Sequence, residues 1–295
     1  MSDILLIGRN GQLGYELGRL LADRFDVAAL ASADVDISDP AATRAIIRRS
    51  RPALIVNTAA YTAVDRAESE PDAAFAVNAR APEAMAEAAA ATGAALLHFS
   101  TDFVFDGQKK EPYTESDKTG PLNVYGASKL AGEEAIRASG VPHMIFRTSW
   151  LYATRGTNFL LTISRLLRER DSLSVVNDQT GSPTWVRELA RLVEAILPRT
   201  ADQLRDFVAA NSGVYHLSCE GAVTWYDFAV RIREHLMARG EKLCDITPIP
   251  SSGYKTAAVR PAYSVLGNSK FTRRFGRTPL AWDAALTEAF GTLPA

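Results

Sequence analysis

Cysteine is scarce in this 295-residue chain: Cys219 and Cys244 are the two present, with no close pairing for metal ligation or a redox dithiol and too few for a disulfide framework. Both are expected to be ordinary core or surface thiols. Histidine is almost as sparse. His98, His143, His216 and His235 are scattered, so nothing marks them as metal ligands or bases and each is read as structural. Neither sign of charge dominates, because 33 basic residues face 34 acidic ones for a formal charge of -1. No global field recruits nucleic acid or an acidic membrane surface, and a small anionic ligand would need a local basic site. No apolar run approaches the roughly 20 residues of a membrane-spanning helix. The most apolar helical stretch, around residues 81–91, is alanine-rich and carries Glu83 and Glu87. No basic region followed by a long apolar stretch opens the chain, and no internal repeat or low-complexity linker interrupts it. A soluble cytoplasmic protein is expected, with no nucleic-acid or membrane partner. Its 47% apolar composition suffices for one large core or two smaller ones.

What is present is a rhythm. Short apolar runs at 4–7, 27–30, 54–56, 95–99 and 144–146 alternate with helical patterns at 12–23, 40–50, 73–91 and 122–138. That alternation predicts an α/β fold, a Rossmann-type doubly wound parallel sheet with crossover helices on both faces. Ser38-Asp39-Pro40 reads as a helix start and Thr92-Gly93 as a helix end. After Trp150 the rhythm loosens, with helices predicted at 159–169, 184–196 and 224–238 between short strand-like pieces. Residues 1–150 are therefore read as a dinucleotide-binding domain and 151–295 as mainly a smaller mixed α/β substrate-binding domain. The boundary is expected to be interleaved, some later segments returning to the first domain.

The first apolar run leads directly into Gly8-Arg9-Asn10-Gly11-Gln12-Leu13-Gly14 and then a helix. A strand, glycine turn and helix in that order let the backbone approach a pyrophosphate at the positive helix N-terminus, while Gly14 permits close helix–sheet packing. The Gly-x-x-Gly-x-x-Gly spacing is typical of extended short-chain dehydrogenases. Many NAD enzymes end the second strand with an acid for the adenosine ribose, but Leu30-Ala31-Ser32 stands there and the first acid is Asp34. Arg9 is placed to meet a 2′-phosphate, which favours NADPH with NADH tolerated; a merely solvated side chain is the competing reading. Asp36, followed by Ile37, suits either the adenine amino group or a turn or cap.

Tyr125 and Lys129 are four apart in a helical pattern and share a helix face. A free phenol titrates at about 10, poorly matched to proton transfer near neutrality. A nearby Lys129 cation, joined by an oxidised nicotinamide, is expected to lower it; two or three units require roughly 3–4 kcal/mol, within reach of one charge pair in a partly desolvated cleft. Tyr-x-x-x-Lys is common by chance, but the glycine turn upstream turns the pattern into a catalytic expectation. The fourth apolar run ends in Ser100-Thr101-Asp102-Phe103, at a strand end where such sheets place ligand-binding side chains. The Thr101 hydroxyl is placed to orient a carbonyl and Asp102 to hold a sugar hydroxyl, with strand-end turn chemistry as the alternative. Trp150 suits either a substrate ring or an ordinary core.

With these residues in view, the chain resembles the dTDP-4-dehydrorhamnose reductases, extended short-chain dehydrogenases of deoxysugar synthesis. The likeness runs nearly end to end, through the glycine turn, Asn57-Thr58-Ala59-Ala60-Tyr61-Thr62-Ala63-Val64-Asp65, Ser100 to Gly107, Pro121 to Glu133, Phe146 to Trp150 and Asp178 to Thr184. It implies reduction of the C4 ketone of dTDP-4-dehydro-β-L-rhamnose to dTDP-L-rhamnose, the hydride coming from NAD(P)H and the proton from Tyr125. Thr101, Tyr125 and Lys129 fall on catalytic positions. Gly11, Gln12, Leu13, Asp36, Ile37, Ala59, Ala60 and Tyr61 fall on cofactor positions, and Asp102, Phe103 and Trp150 on sugar-contacting ones. Phe103 stands where the family usually has tyrosine, so a polar contact is lost there. Arg260, before Pro261, resembles the arginine that meets a nucleotide diphosphate, which supplies the local basic site. Some members dimerise around Mg2+, and Glu16 and Glu188 lie near the corresponding places, so a monomer or a homodimer is expected. Two rival readings share the outline. An epimerase or dehydratase on another nucleotide sugar is disfavoured because Thr101-Asp102 is followed by Phe103 rather than a second acid. A non-catalytic regulatory subunit, resembling that of methionine adenosyltransferase, is disfavoured by the complete Thr, Tyr and Lys set.

Overall fold

The structure, a computed structural model, describes residues 2–293. Met1 and the last two residues of the expected second domain lie outside the described residues. The first half builds β1 (Ile4–Ile7), α1 (Gln12–Ala22), β2 (Val27–Leu30), α2 (Pro40–Ser50) and β3 (Leu54–Asn57). It continues through α3 (Val64–Ala67), α4 (Pro71–Phe75), a π-helical segment (Ala76–Arg80), α5 (Ala81–Thr92), β4 (Ala95–Thr101), α6 (Val124–Ala138) and β5 (His143–Thr148). The boundary chemistry is as expected. The Asp39 carboxylate accepts from the Ala41 N–H with Pro40 at the first helical position, and Gly93 ends α5 in the left-handed region at φ 79°.

The helix expected over 73–91 is instead three pieces. Pro82 has no N–H to offer the Asn78 carbonyl, so the α-helical ladder is interrupted there and the chain widens into a π turn. The widened turn aims the Asn78 side chain inward, where it accepts from the Tyr61 N–H at 2.9 Å and donates to the Tyr61 carbonyl and the Ser128 hydroxyl, each at 3.0 Å.

The second half contributes β6 (Leu151–Tyr152), α7 (Phe159–Glu169), β7 (Ser172–Val176), β8 (Thr180–Gly181), β9 (Thr184–Trp185), α8 (Val186–Ile196) and α9 (Leu204–Ala210). It ends with β10 (Gly213–His216), β11 (Val223–Thr224), α10 (Trp225–Met237), β12 (Asp245–Ile249), α11 (Ser269–Phe275) and α12 (Trp282–Thr292). The main sheet is parallel throughout, in the order β10-β5-β4-β3-β1-β2. The doubly wound α/β expectation holds, and β10 returns late in the chain to flank β5.

The strands alternate between two cores. Ile4, Leu6, Leu54, Val56, Leu97 and Phe146 face the layer holding α1 and α8, whereas Leu5, Ile7, Ile55, Leu96 and Ile145 face that of α2 and α5. Burial on both faces explains why these strands read as continuous apolar runs. A third core joins Tyr152, Leu160, Trp185, Phe228, Leu286 and Phe290 around α7, α10 and α12, with β7 and β12 paired in parallel beside it. No helix among the described residues is long and apolar enough to cross a membrane.

Candidate active site

After β1 the chain runs to β2 on one side and then to β3 on the other, so a crevice opens at the C-terminal ends of β1 and β3, where such sheets bind ligands. Gly8 turns there at φ +100°, and a Cβ on it would come 2.7 Å from the Thr58 hydroxyl and 2.8 Å from the Ala59 nitrogen. Any side chain at Gly14 would collide with the Gly8 carbonyl, so α1 lies directly against the turn. Gly11 caps α1 without a side-chain hydrogen bond, which leaves first-turn N–H groups open to an anion. A backbone cradle this close fits a dinucleotide pyrophosphate.

The flanking positions are more committed than their sequence shows. Arg9, half exposed, pairs with Asp34 at 3.3 Å, and Asp34 also accepts from the Ala31 N–H at 2.7 Å. Asp36 realises the turn alternative: its carboxylate accepts from the Ser38 N–H at 2.9 Å and hydroxyl at 2.6 Å, bonds that hold it below the usual carboxylate range. Ile37 packs against the α2 and α5 core, Leu13 is buried and Asn10 is exposed. Gln12 accepts from Asn158 Nδ2 at 2.9 Å and so ties the turn to the loop before α7. Ala59 and Ala60 follow β3 at the crevice, and the Tyr61 hydroxyl donates to Glu70 at 2.8 Å.

Tyr125 and Lys129 stand one turn apart on α6. Asn123 caps this helix, accepting from the Gly126 N–H and donating to the Val259 carbonyl, both at 2.8 Å, and so links the helix to the second half of the chain. Gly126 lets the turn after β4 press on α6, since a Cβ there would strike the Phe103 carbonyl. The Phe103 ring consequently meets Tyr125 edge-on at 5.6 Å. Thr101, buried at the end of β4, accepts from the Phe103 N–H at 3.2 Å and donates to Asp102 at 3.0 Å. Asp102 is buried, and burial pushes its carboxyl up to about 6 against the pull of the Ser264 and Thr101 hydroxyls.

Lys129 makes its contacts elsewhere than the phenol. Its ammonium is buried behind β4, donating to the Phe99 carbonyl at 2.7 Å and lying 3.3 Å from His98 Nε2, with no hydrogen bond to the phenol. Burial pulls Lys129 down to about 8, opposed by Glu133. Tyr125 is correspondingly not lowered: burial pushes its phenol up to about 12, with the Thr101 hydroxyl working the other way and Asp102 adding to the rise. In the protein alone, without the nicotinamide charge, desolvation dominates the phenol.

On the far side, Trp150 adopts φ 44° and stacks on Trp225 with ring centroids 3.3 Å apart, Gly181 making room for the indole. Trp225 lines a cleft of about 710 Å³ with Phe159, Gln179, Lys255 and Arg260. Arg260 is not free: it donates to Asp65 at 2.8 and 3.2 Å, and this guanidinium holds the Asp65 carboxyl below its usual range.

Over this geometry, the model of a family described as the RmlD substrate binding domain matches residues 1–294. The dTDP-4-dehydrorhamnose reductase of Salmonella typhimurium is 44% identical, over 98% of this chain and 99% of its own. The chain belongs to the dTDP-4-dehydrorhamnose reductase family. Among solved structures, a dTDP-4-dehydrorhamnose reductase from Clostridium acetobutylicum superposes with a TM-score of 0.89 at 36% identity, covering 98% of both chains. One from Bacillus anthracis, in complex with NADP, gives 0.88 at 33% identity over 98% of this chain and 99% of that one.

The two glutamates expected near a magnesium site both have partners within the chain. Buried Glu16 accepts two bonds from Arg187, each at 3.1 Å, and Glu188 accepts from the Leu280 N–H at 3.2 Å. No group of three His, Cys, Asp or Glu able to hold an ion occurs among the described residues. Sequence reasoning also missed Asn57, Asn78, His98 and Asn123. An asparagine before a helical pattern is a recognisable cap, which would have found Asn123; nothing local distinguishes the other three.

Proposed function

We propose that this protein reduces the C4 ketone of dTDP-4-dehydro-β-L-rhamnose to dTDP-L-rhamnose, with NADPH preferred and NADH accepted. The observation that carries the reading is Thr101 at the end of β4 beside Tyr125, with Lys129 one turn on along α6, in a chain 44% identical over its length to a reductase of that name. The Bacillus anthracis structure, holding NADP, and the absence of an acid directly after β2 support the cofactor preference.

The residues fit a dinucleotide: Gly8, Arg9, Asn10, Gly11, Gln12, Leu13 and Gly14 would hold its pyrophosphate and neighbouring ribose, with Asp36 and Ile37 near the base. Ala59, Ala60 and Tyr61 would line the opposite wall, and Lys129 would meet the nicotinamide ribose. When bound, the reduced nicotinamide supplies the hydride. Thr101 orients the ketone, and Tyr125 donates its phenolic proton to the oxygen as negative charge develops. Asp102 and the stacked Trp150 face the sugar, Phe103 supplies apolar contact alone, and Arg260 holds the diphosphate. A nucleotide sugar is thus the partner.

Incubating the protein with dTDP-4-dehydrorhamnose and NADPH, and following loss of NADPH absorbance, tests the reading. Turnover is expected, and Tyr125→Phe is expected to abolish it. No turnover with any 4-keto nucleotide sugar, or an unchanged rate in that variant, would sink the proposal.

A further inference from the structure

We propose that Asn57 and His98 act together as positioning residues that set the protonation of Lys129. This rests on the reductase reading for its consequence, but not for its wiring. Parallel pairing of β3 with β4 puts Asn57 opposite His98, and both side chains are fully buried. Asn57 Oδ1 accepts from the Ala59 N–H at 3.1 Å, which turns the amide nitrogen toward His98 Nδ1 at 3.0 Å. An amide nitrogen donates and does not accept. Nδ1 is therefore the acceptor, and a neutral imidazole must carry its proton on Nε2. Burial, with the Lys129 charge beside it, keeps His98 neutral by holding it well below its ordinary range.

That Nε2–H points at Lys129 Nζ, 3.3 Å away. Aimed at an amine lone pair it forms a hydrogen bond; aimed at an ammonium it opposes another donor. The imidazole therefore favours the deprotonated lysine. The Phe99 carbonyl and the Glu133 carboxylate favour the ammonium, although Glu133 is already engaged by Arg147 and by the Ser100 hydroxyl. The titratable and charged groups around this end of β4 and α6 are His98, Asp102, Tyr125, Glu133 and Arg147, while the π segment contributes uncharged Asn78. Of these, His98 is the one whose donor hydrogen, placed by the Asn57 amide, faces Lys129 Nζ directly. By setting the pH at which Lys129 loses its charge, the Asn57–His98 pair sets the upper pH limit for assisting the Tyr125 phenolate.

The wiring is read directly by nitrogen NMR of the wild-type protein labelled in its four histidines. The Nε2–H tautomer is expected for His98, and an Nδ1–H tautomer overturns the proposal. The consequence is read from the alkaline limb of the kcat/KM profile. In Asn57→Asp the carboxylate accepts from Nδ1–H, the tautomer reverses, and the limb is expected to move up by about one pH unit, a tenfold change in proton affinity. The same substitution in a His98→Leu background should move it far less. An equal shift in both backgrounds would mean that the new charge acts on Lys129 without His98, which also overturns the proposal. If Asn57→Asp does not fold, the tautomer decides. A protein with the expected tautomer that reduces no 4-keto nucleotide sugar would refute the reductase reading alone.

Discussion

Lys129 Nζ donates to the Phe99 carbonyl at 2.7 Å, so the residue expected to assist Tyr125 is anchored to the backbone of β4 and not to the phenol. That contact holds the cation in a buried place, at a measurable cost.

The Lys129 ammonium titrates at about 8, below the ordinary 10.5, so the unfolded chain binds the proton more tightly. The penalty is fully present below pH 8 and disappears as pH rises toward 10.5, a window in which stability increases with pH. Lys129→Met is therefore expected to be inactive yet more stable near neutrality, by about 1–2 kcal/mol once the lost Phe99 contact is subtracted. Denaturant unfolding at several pH values checks this: the advantage should shrink through that window, and a constant difference would show another cause.

Tyr125→Phe removes the proton donor while keeping the ring that meets Phe103 edge-on. Turnover is expected to fall by about 10²–10⁴-fold, with NADPH affinity and melting temperature little changed. Fluorescence titration with NADPH separates lost chemistry from lost binding.

Gly14 touches the Gly8 carbonyl so closely that a methyl group cannot be added without moving α1 from the turn. Gly14→Ala is expected to cost about 1–3 kcal/mol in stability and to weaken NADPH binding more than tenfold. Thermal melts with and without cofactor measure both, and an alanine variant with normal affinity would show that the cradle tolerates the shift.

Glu133 and Arg147 form a fully buried pair at 2.7 Å behind Lys129, with one Arg147 nitrogen unpartnered among the described residues. Glu133→Gln leaves the guanidinium uncompensated and is expected to destabilise by about 3–5 kcal/mol; replacing both residues with methionine should recover much of that loss. Equal damage from the single and double variants would argue against a charge effect.

Arg260, held by Asp65 at the mouth of the cleft, is expected to act on substrate binding alone. Arg260→Ala should raise KM for the nucleotide sugar about tenfold or more with kcat nearly unchanged. A fall in kcat at constant KM would place it with the reacting groups.

The parallel sheet, its glycine turn and the four-residue spacing of Tyr125 and Lys129 were legible in the sequence because each is local: strand burial, backbone permissiveness and helical period act over a few neighbouring residues. Helix ends at Asp39-Pro40 and Gly93 were legible for the same reason. Tertiary structure decided what those residues touch. Asn57 meets His98 because two strands 41 residues apart pair in one register, and Arg260 meets Asp65 across 195 residues. Glu16 is taken by Arg187 because α1 and α8 pack together. The direction of the Tyr125 shift belongs to the same class: helical spacing places two residues on one face, but how far water is excluded from the phenol depends on every element packed around it, and in the protein alone that exclusion raises it.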